Sequence, residues 1–173
     1  MSHDAFADPQ AVARYAEGLP RMVPGFAGLQ RMTMVLLAER ATDNAQVLVL
    51  GAGGGLEIKV FAEAQPDWSF DGVDPSAAML DLARKTLGEL SARTRLHQGL
   101  IDVAPEGPFD AATCILTLHF IEGEERLRTL KEVRRAACDP VRPSSSPTSA
   151  SRRDPVNVTS GLIDMPPSRL LLA

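Results

Sequence analysis

Cysteine is almost absent from this chain: only Cys114 and Cys138 occur in 173 residues, which excludes a disulfide framework and any Cys-x-x-Cys metal pair. Cys114 sits inside an apolar run, where a small buried thiol is the ordinary expectation. A basic excess is also missing. The formal net charge is −4 with a pI of about 5.4, so the electrostatic footprint of a nucleic-acid-binding surface is not there. No apolar run approaches the roughly 18 residues of a membrane span, and the opening Met-Ser-His-Asp lacks the basic segment and apolar stretch of a signal peptide. A soluble cytoplasmic protein without membrane contact is the expectation. With 45% hydrophobic content, the chain can bury one sizeable core, and a single domain is predicted.

What the sequence does contain is concentrated at residues 46–55. Four apolar residues, Val47-Leu48-Val49-Leu50, run directly into Gly51-Ala52-Gly53-Gly54-Gly55. A short unbroken apolar run reads as a parallel strand buried on both faces, and glycine lets a ligand reach the backbone. Helical spacing follows, with Leu56, Val60 and Ala64 four apart and Ile58 and Phe61 widening the face. Strand, glycine turn and helix predict the nucleotide-binding opening of a doubly wound α/β fold, in which amides at the helix N-terminus receive a polar or anionic group.

Upstream, residues 11–18 read as a short helix broken by Pro20 and Pro24-Gly25, followed by a helix with Leu29, Met32, Leu36 and Leu37 on its apolar face. Met22, Met32 and Met34 read as core filler. Downstream, residues 68–74 form the second strand, which ends on Asp74. Asp74 is placed as the N-cap of the next helix, with Pro75 at its first position and Met79, Leu80, Ala83 and Leu87 facing inward. Asp74 also lies 23 residues beyond Gly51, close to the separation at which a doubly wound fold sets an acid on the ribose hydroxyls of an adenosine-bearing ligand. Residues 94–98 predict a third strand, 111–118 a fourth, and about 123–137 a last helix with Leu127, Leu130 and Val133 on one face and a Glu124–Arg128 pair.

This pattern fits both nicotinamide-dependent oxidoreductases and enzymes that use S-adenosylmethionine. The dehydrogenase fingerprint places Gly or Ala where this chain has Leu56. The spacing of Gly51, Gly53 and Gly55 resembles instead the GxGxG turn of class I S-adenosylmethionine-dependent methyltransferases. Asp74-Pro75-Ser76 with Met79-Leu80, the loop from Gly99 to Ile101, and Pro108-Phe109-Asp110 are similar to other parts of that family. A Rossmann-like, doubly wound parallel sheet with S-adenosylmethionine as cofactor is what the resemblance implies. Arg21-Met22-Val23-Pro24-Gly25-Phe26 and Leu116-Thr117-Leu118-His119-Phe120 are more specifically similar to the carboxy-S-adenosylmethionine synthase branch, over residues 6–135.

By that similarity Gly51, Ala52, Gly53 and Gly55 run under the methionine part of the cofactor, Asp74 with Pro75 holds the ribose, and Leu100 and Ile101 border the adenine. Phe26 stands where that branch has a cofactor-contacting tyrosine, and Ile115 where it has an asparagine. Val49 replaces the acid usual two residues before the first glycine, and Leu100 replaces an aspartate. These departures favour methyl transfer to a small-molecule acceptor over carboxy transfer. No catalytic residue is assigned and no metal is called for; His119 is a weak base candidate, and Tyr15 and Arg21 are weak lid candidates.

The character of the chain changes near residue 137. Residues 139–173 hold six prolines, seven serines and no aromatic residue, a composition that cannot offset its ordering entropy. Residues 1–136 are therefore expected to form the cofactor-binding domain, with 1–45 as a helical cap and 137–173 as a disordered tail. The family's later strands are missing. Codons can be chosen for residues 137–149 so that the frame two bases later reads Leu-Arg-Pro-Gly-Ala-Pro-Phe-Val-Val-Ala-His-Leu, a turn and strand of the missing kind, so a frameshifted tail is expected. A sheet ending at the fourth strand would leave an open apolar edge prone to self-association. The alternatives carried forward are an inactive S-adenosylmethionine-binding fragment and a NAD-dependent oxidoreductase.

Overall fold

In the computed structural model, residues 9–138 and 170–172 are described. The chain runs α1 (Pro9–Met22), α2 (Phe26–Ala38), β1 (Gln46–Leu50), α3 (Leu56–Ala64), β2 (Ser69–Asp74), α4 (Ala77–Leu87), β3 (Thr94–Gln98), β4 (Ala111–Cys114), α5 (Gly123–Cys138) and β5 (Leu170–Leu172). The sheet order is β3-β2-β1-β4-β5, and every pairing is parallel. The predicted doubly wound α/β class holds.

Strand periodicity divides the core in two. Val47, Val49 and Phe70 face one layer with Leu37, Ile58, Phe61, Trp68 and Leu87. Leu48, Leu50, Val73, Ala112 and Cys114 face the other, with Ile101, Phe109, Val133 and Ala137. Neighbouring residues of β1 thus serve opposite faces, which is why its sequence is apolar without alternation. Because β1 is flanked by β2 on one side and β4 on the other, the chain changes direction across the sheet at the carboxyl end of β1. That crevice is where open α/β sheets place ligands.

Several sequence expectations shift in detail. The first helix continues through Pro20 to Met22. In α2 the buried residues are Phe26, Gln30, Thr33 and Leu37, which turns Met32 outward, and Met22 at the end of α1 is exposed as well; these two methionines are not core filler. In α3 the buried face is Glu57, Ile58, Phe61 and Ala62, rotated from the stripe led by Leu56. Leu127 of α5 is exposed while Thr129, Val133 and Ala137 are buried, and Arg128 pairs with Glu125 rather than Glu124. The fourth strand ends at Cys114, because Leu116 adopts a φ of 53° that no strand can continue through.

At its carboxyl end α5 runs through Cys138, one residue past the expected end near 137. Leu170–Leu172, within the segment expected to be disordered, pairs with Ala112–Cys114 of β4. The fourth-strand edge expected to stand open is therefore covered at these residues: three leucines supply the backbone partners that an apolar strand edge requires. The rest of the expected tail and frameshift lies outside the described residues.

Candidate functional site at the glycine turn

Three left-handed glycines shape the turn after β1: Gly51, Gly53 and Gly55 have φ of 77°, 48° and 78°. The turn is tied to β2 by its own backbone, since the amides of Gly51 and Ala52 both donate to the Val73 carbonyl, at 2.8 and 3.0 Å. Asp74, at the end of β2 and 9% exposed, completes the connection. Its Oδ2 accepts from the Gly53 amide at 2.9 Å and its Oδ1 from the Ser76 amide at 2.9 Å.

Asp74 is consequently not the helix cap. Ser76 is, its Oγ accepting from the Met79 amide at 3.3 Å, and α4 begins at Ala77 rather than at Pro75. Asp74 instead folds back on Ser76 in the turn that Asp side chains favour, which leaves the carboxylate beside the glycines. The Gly99 amide donates to the Asp74 carbonyl at 3.1 Å, bringing the loop that carries Leu100 to the same sheet edge. Leu100 is 45% exposed there, whereas Ile101 is buried within the second core cluster. Of the two residues expected to border adenine, the exposed one is Leu100.

The glycines are required by what lies against them. A Cβ on Gly51 would come within 2.0 Å of Thr117 Oγ1, and one on Gly55 within 3.0 Å of Ala83 Cα. Over Gly53 stand the Tyr15 hydroxyl and Met79 Cε, at 3.3 and 3.4 Å from the same ideal position, and Tyr15 Cδ1 lies 3.2 Å from that of Gly54. The aromatic ring of α1 therefore sits on the turn. On the β4 side, Ile115 is buried, and its carbonyl accepts from Thr117 Oγ1 at 3.0 Å. Phe26 is buried at the head of α2. Arg21 and His119 are exposed, the latter with its ring 3.9 Å from that of Phe120.

One polar group at the site, Glu57, escaped the sequence reading; a second, Tyr15, is expected from it only as a lid candidate. Glu57, second residue of α3, is 7% exposed and accepts a hydrogen bond from Thr113 Oγ1 of β4. Burial pushes its carboxyl up to about 7, partly offset by Thr113. Tyr15 is pushed up to about 12 by burial and by the carboxylates of Asp74 and Glu57, so its phenol stays neutral and remains a donor. The signal for Glu57 was a carboxylate one turn before Phe61 on an otherwise apolar face; Tyr15, the lid candidate, has its hydroxyl over Gly53.

The donor set suits an adenosine-bearing ligand. A carboxylate has about four acceptor directions, and Asp74 stands beside the backbone of the turn, bonded to the Gly53 amide. Among the described residues no group of three or more His, Cys, Asp and Glu is arranged to hold a metal, and no helix is long and apolar enough to cross a membrane.

A family model described as a methyltransferase domain matches residues 48–140, which runs from β1 past α5. Among curated proteins, carboxy-S-adenosyl-L-methionine synthase of Campylobacter fetus is 27% identical over 127 residues, covering 73% of this chain and 54% of that protein. The same-named protein of Campylobacter lari is 24% identical over 126 residues, with 73% and 54% covered. The chain thus spans about half the length of the curated relatives it matches. Among solved structures, an O-methyltransferase family protein from Burkholderia thailandensis superposes with a TM-score of 0.62 at 19% identity, covering 75% of this chain and 39% of that one; the likeness is one of fold.

Proposed function

The chain belongs to the methyltransferase-domain family, and from that premise we propose that it binds S-adenosylmethionine at residues 51–55 and acts as a methyltransferase on a small-molecule acceptor. One observation carries the reading: the buried Asp74 carboxylate and the glycine turn are locked together by the 2.9 Å bond from the Gly53 amide, at the sheet's switch point and inside the matched region. Asp74 accepts from the ribose diol. Gly51 and Gly53 let the amino-acid part of the donor run against the backbone. Leu100 lies against the adenine, which in the absence of an acidic side chain at that position is held by apolar contact.

The sulfonium of the donor supplies an already activated methyl group. The protein's part is therefore alignment of the acceptor nucleophile in line with that methyl, plus proton removal where the acceptor holds a proton. The fixed turn supports the first. No described side chain is assigned the second, and His119, exposed and tilted against the Phe120 ring, has no geometry that favours it.

The alternative is a donor-binding unit without turnover, since no described side chain is assigned to proton removal from an acceptor. Carboxy transfer, the activity in those relatives' name, is less favoured, since Ile115 and Val49 lack the polar groups the resemblance expects. Calorimetric titration with S-adenosylmethionine and with NAD tests the reading. Saturable binding of the former alone is the expected result, and its absence would defeat the assignment. Methyl transfer to any acceptor by the purified chain would exclude the inactive alternative.

A further inference from the structure

Resting on the donor-binding reading above, we infer that Glu57 is the acid that receives the ammonium group of the donor, approaching from α3 in place of the side chain that Val49 cannot supply. The register of the sheet places it. Val49 lies two residues before Gly51 and pairs with Thr113, and Thr113 Oγ1 donates to the Glu57 carboxyl. The carboxyl is thus anchored on the strand position beside Val49, and Glu57 follows the last glycine of the turn by two residues.

Burying a carboxyl has a cost that a leucine or a glutamine here would avoid. Thr113 satisfies Glu57 without neutralising it, so its hydrogen bond alone does not account for an ionisable group at this position. A cationic ligand does. Thr113 of β4 is the hydrogen-bond partner of Glu57; Tyr15 of α1 and Cys114 of β4 lie close enough to feel its charge, and Tyr15 also feels that of Asp74. None carries a positive charge. Asp74 already accepts from the Gly53 and Ser76 amides, so Glu57 is the carboxyl at this end of the turn that is not shared with backbone amides. Its titration near 7 means that a bound ammonium favours the ionised form at neutral pH.

The test compares two probes: S-adenosylhomocysteine, which keeps the amino-acid end, and 5′-methylthioadenosine, which lacks it. At about pH 8, Glu57→Gln is expected to weaken the first about tenfold, the loss of one charged hydrogen-bond partner, and the second by less than about twofold. Equal loss for both probes, or loss for neither, overturns the inference. In the wild-type chain the ratio of the two affinities should rise about tenfold between about pH 6 and pH 8 as Glu57 ionises. A flat ratio overturns it even if the variant does not fold. A wild-type chain that binds neither probe removes the donor-binding reading, and this inference with it, whereas tight binding of both with an unmoved ratio removes the inference alone.

Discussion

Gly51 and Gly53 belong to one turn but are constrained by different things. At Gly51, a methyl group would collide with Thr117 Oγ1 at 2.0 Å in a backbone with φ of 77°. Gly51→Ala must therefore strain the turn and displace a hydroxyl that now bonds the carbonyls of Leu50 and Ile115. A loss of roughly 2–4 kcal/mol in urea-denaturation stability is expected. At Gly53 the neighbours are ends of flexible side chains, at 3.3 and 3.4 Å, and Ala there should cost roughly 1 kcal/mol while abolishing measurable S-adenosylmethionine binding, because the methyl enters the ligand's space. Equal stability losses for the two variants would contradict this division. The turn and Asp74 were legible in sequence because glycine spacing and strand-end acids are local signals. The alignment of Glu57, Thr113 and Tyr15 was not, because it depends on the β1–β4 register and on how α1 docks.

Among the elements, α3 is fixed at both ends by atoms outside it. Its N-terminus is set by the glycine turn, where the Lys59 amide donates to the Gly55 carbonyl at 2.9 Å. Its C-terminus is closed by Arg93, which donates to the carbonyls of Ala62, Gln65 and Trp68 at 2.9, 3.0 and 2.7 Å. A guanidinium there satisfies the Ala62 carbonyl, which helix geometry leaves unpaired, ties down the turn that follows through Gln65 and Trp68, and complements the helix dipole. Arg93→Met keeps the apolar stem and removes those bonds, so a loss of about 2 kcal/mol is expected. Circular-dichroism melting would detect it, and an unchanged transition would mean that water replaces the guanidinium without cost. Strands β1 to β3 and the span of α5 could be read from apolar runs and turn residues. Helix phase was read less well: in α2, α3 and α5 the buried face includes Thr33, Glu57 or Thr129, which hydrophobic periodicity alone assigns to solvent. Strand β5 could not be anticipated, since three leucines gain strand structure only from the edge of β4.

For the molecule as a whole, two buried carboxyls set opposite pH limits on stability. Asp71, in the middle of β2, has a fully buried side chain. It accepts from Gln46 of β1 at 2.9 Å and from Arg95 and His97 of β3 at 2.6 and 2.8 Å, joining three strands. Burial alone would raise its pKa, but the bonds from Arg95, Gln46 and His97 outweigh it, and the carboxyl titrates below its ordinary 3.8. A depressed acid contributes stability above its unfolded value that is lost as pH falls through the folded one. Glu57 works the other way. Its folded value is raised from 4.5 to about 7, so its contribution is complete below 4.5 and is lost as pH rises to about 7. Unfolding free energy of the ligand-free chain should therefore peak near 4.5 among these two contributions, fall toward 7, and fall again below 3.8. Glu57→Gln should flatten the upper limb and leave the acid limb intact, and Asp71→Asn should remove the acid limb's steepest part while lowering stability throughout. Denaturant titrations across that range check both. The upper limb also bears on donor binding: ionising Glu57 is unfavourable in the empty chain and favoured once a cation lies above it, so saturating S-adenosylmethionine should flatten the decline toward 7 in the wild-type chain and have no such effect in Glu57→Gln.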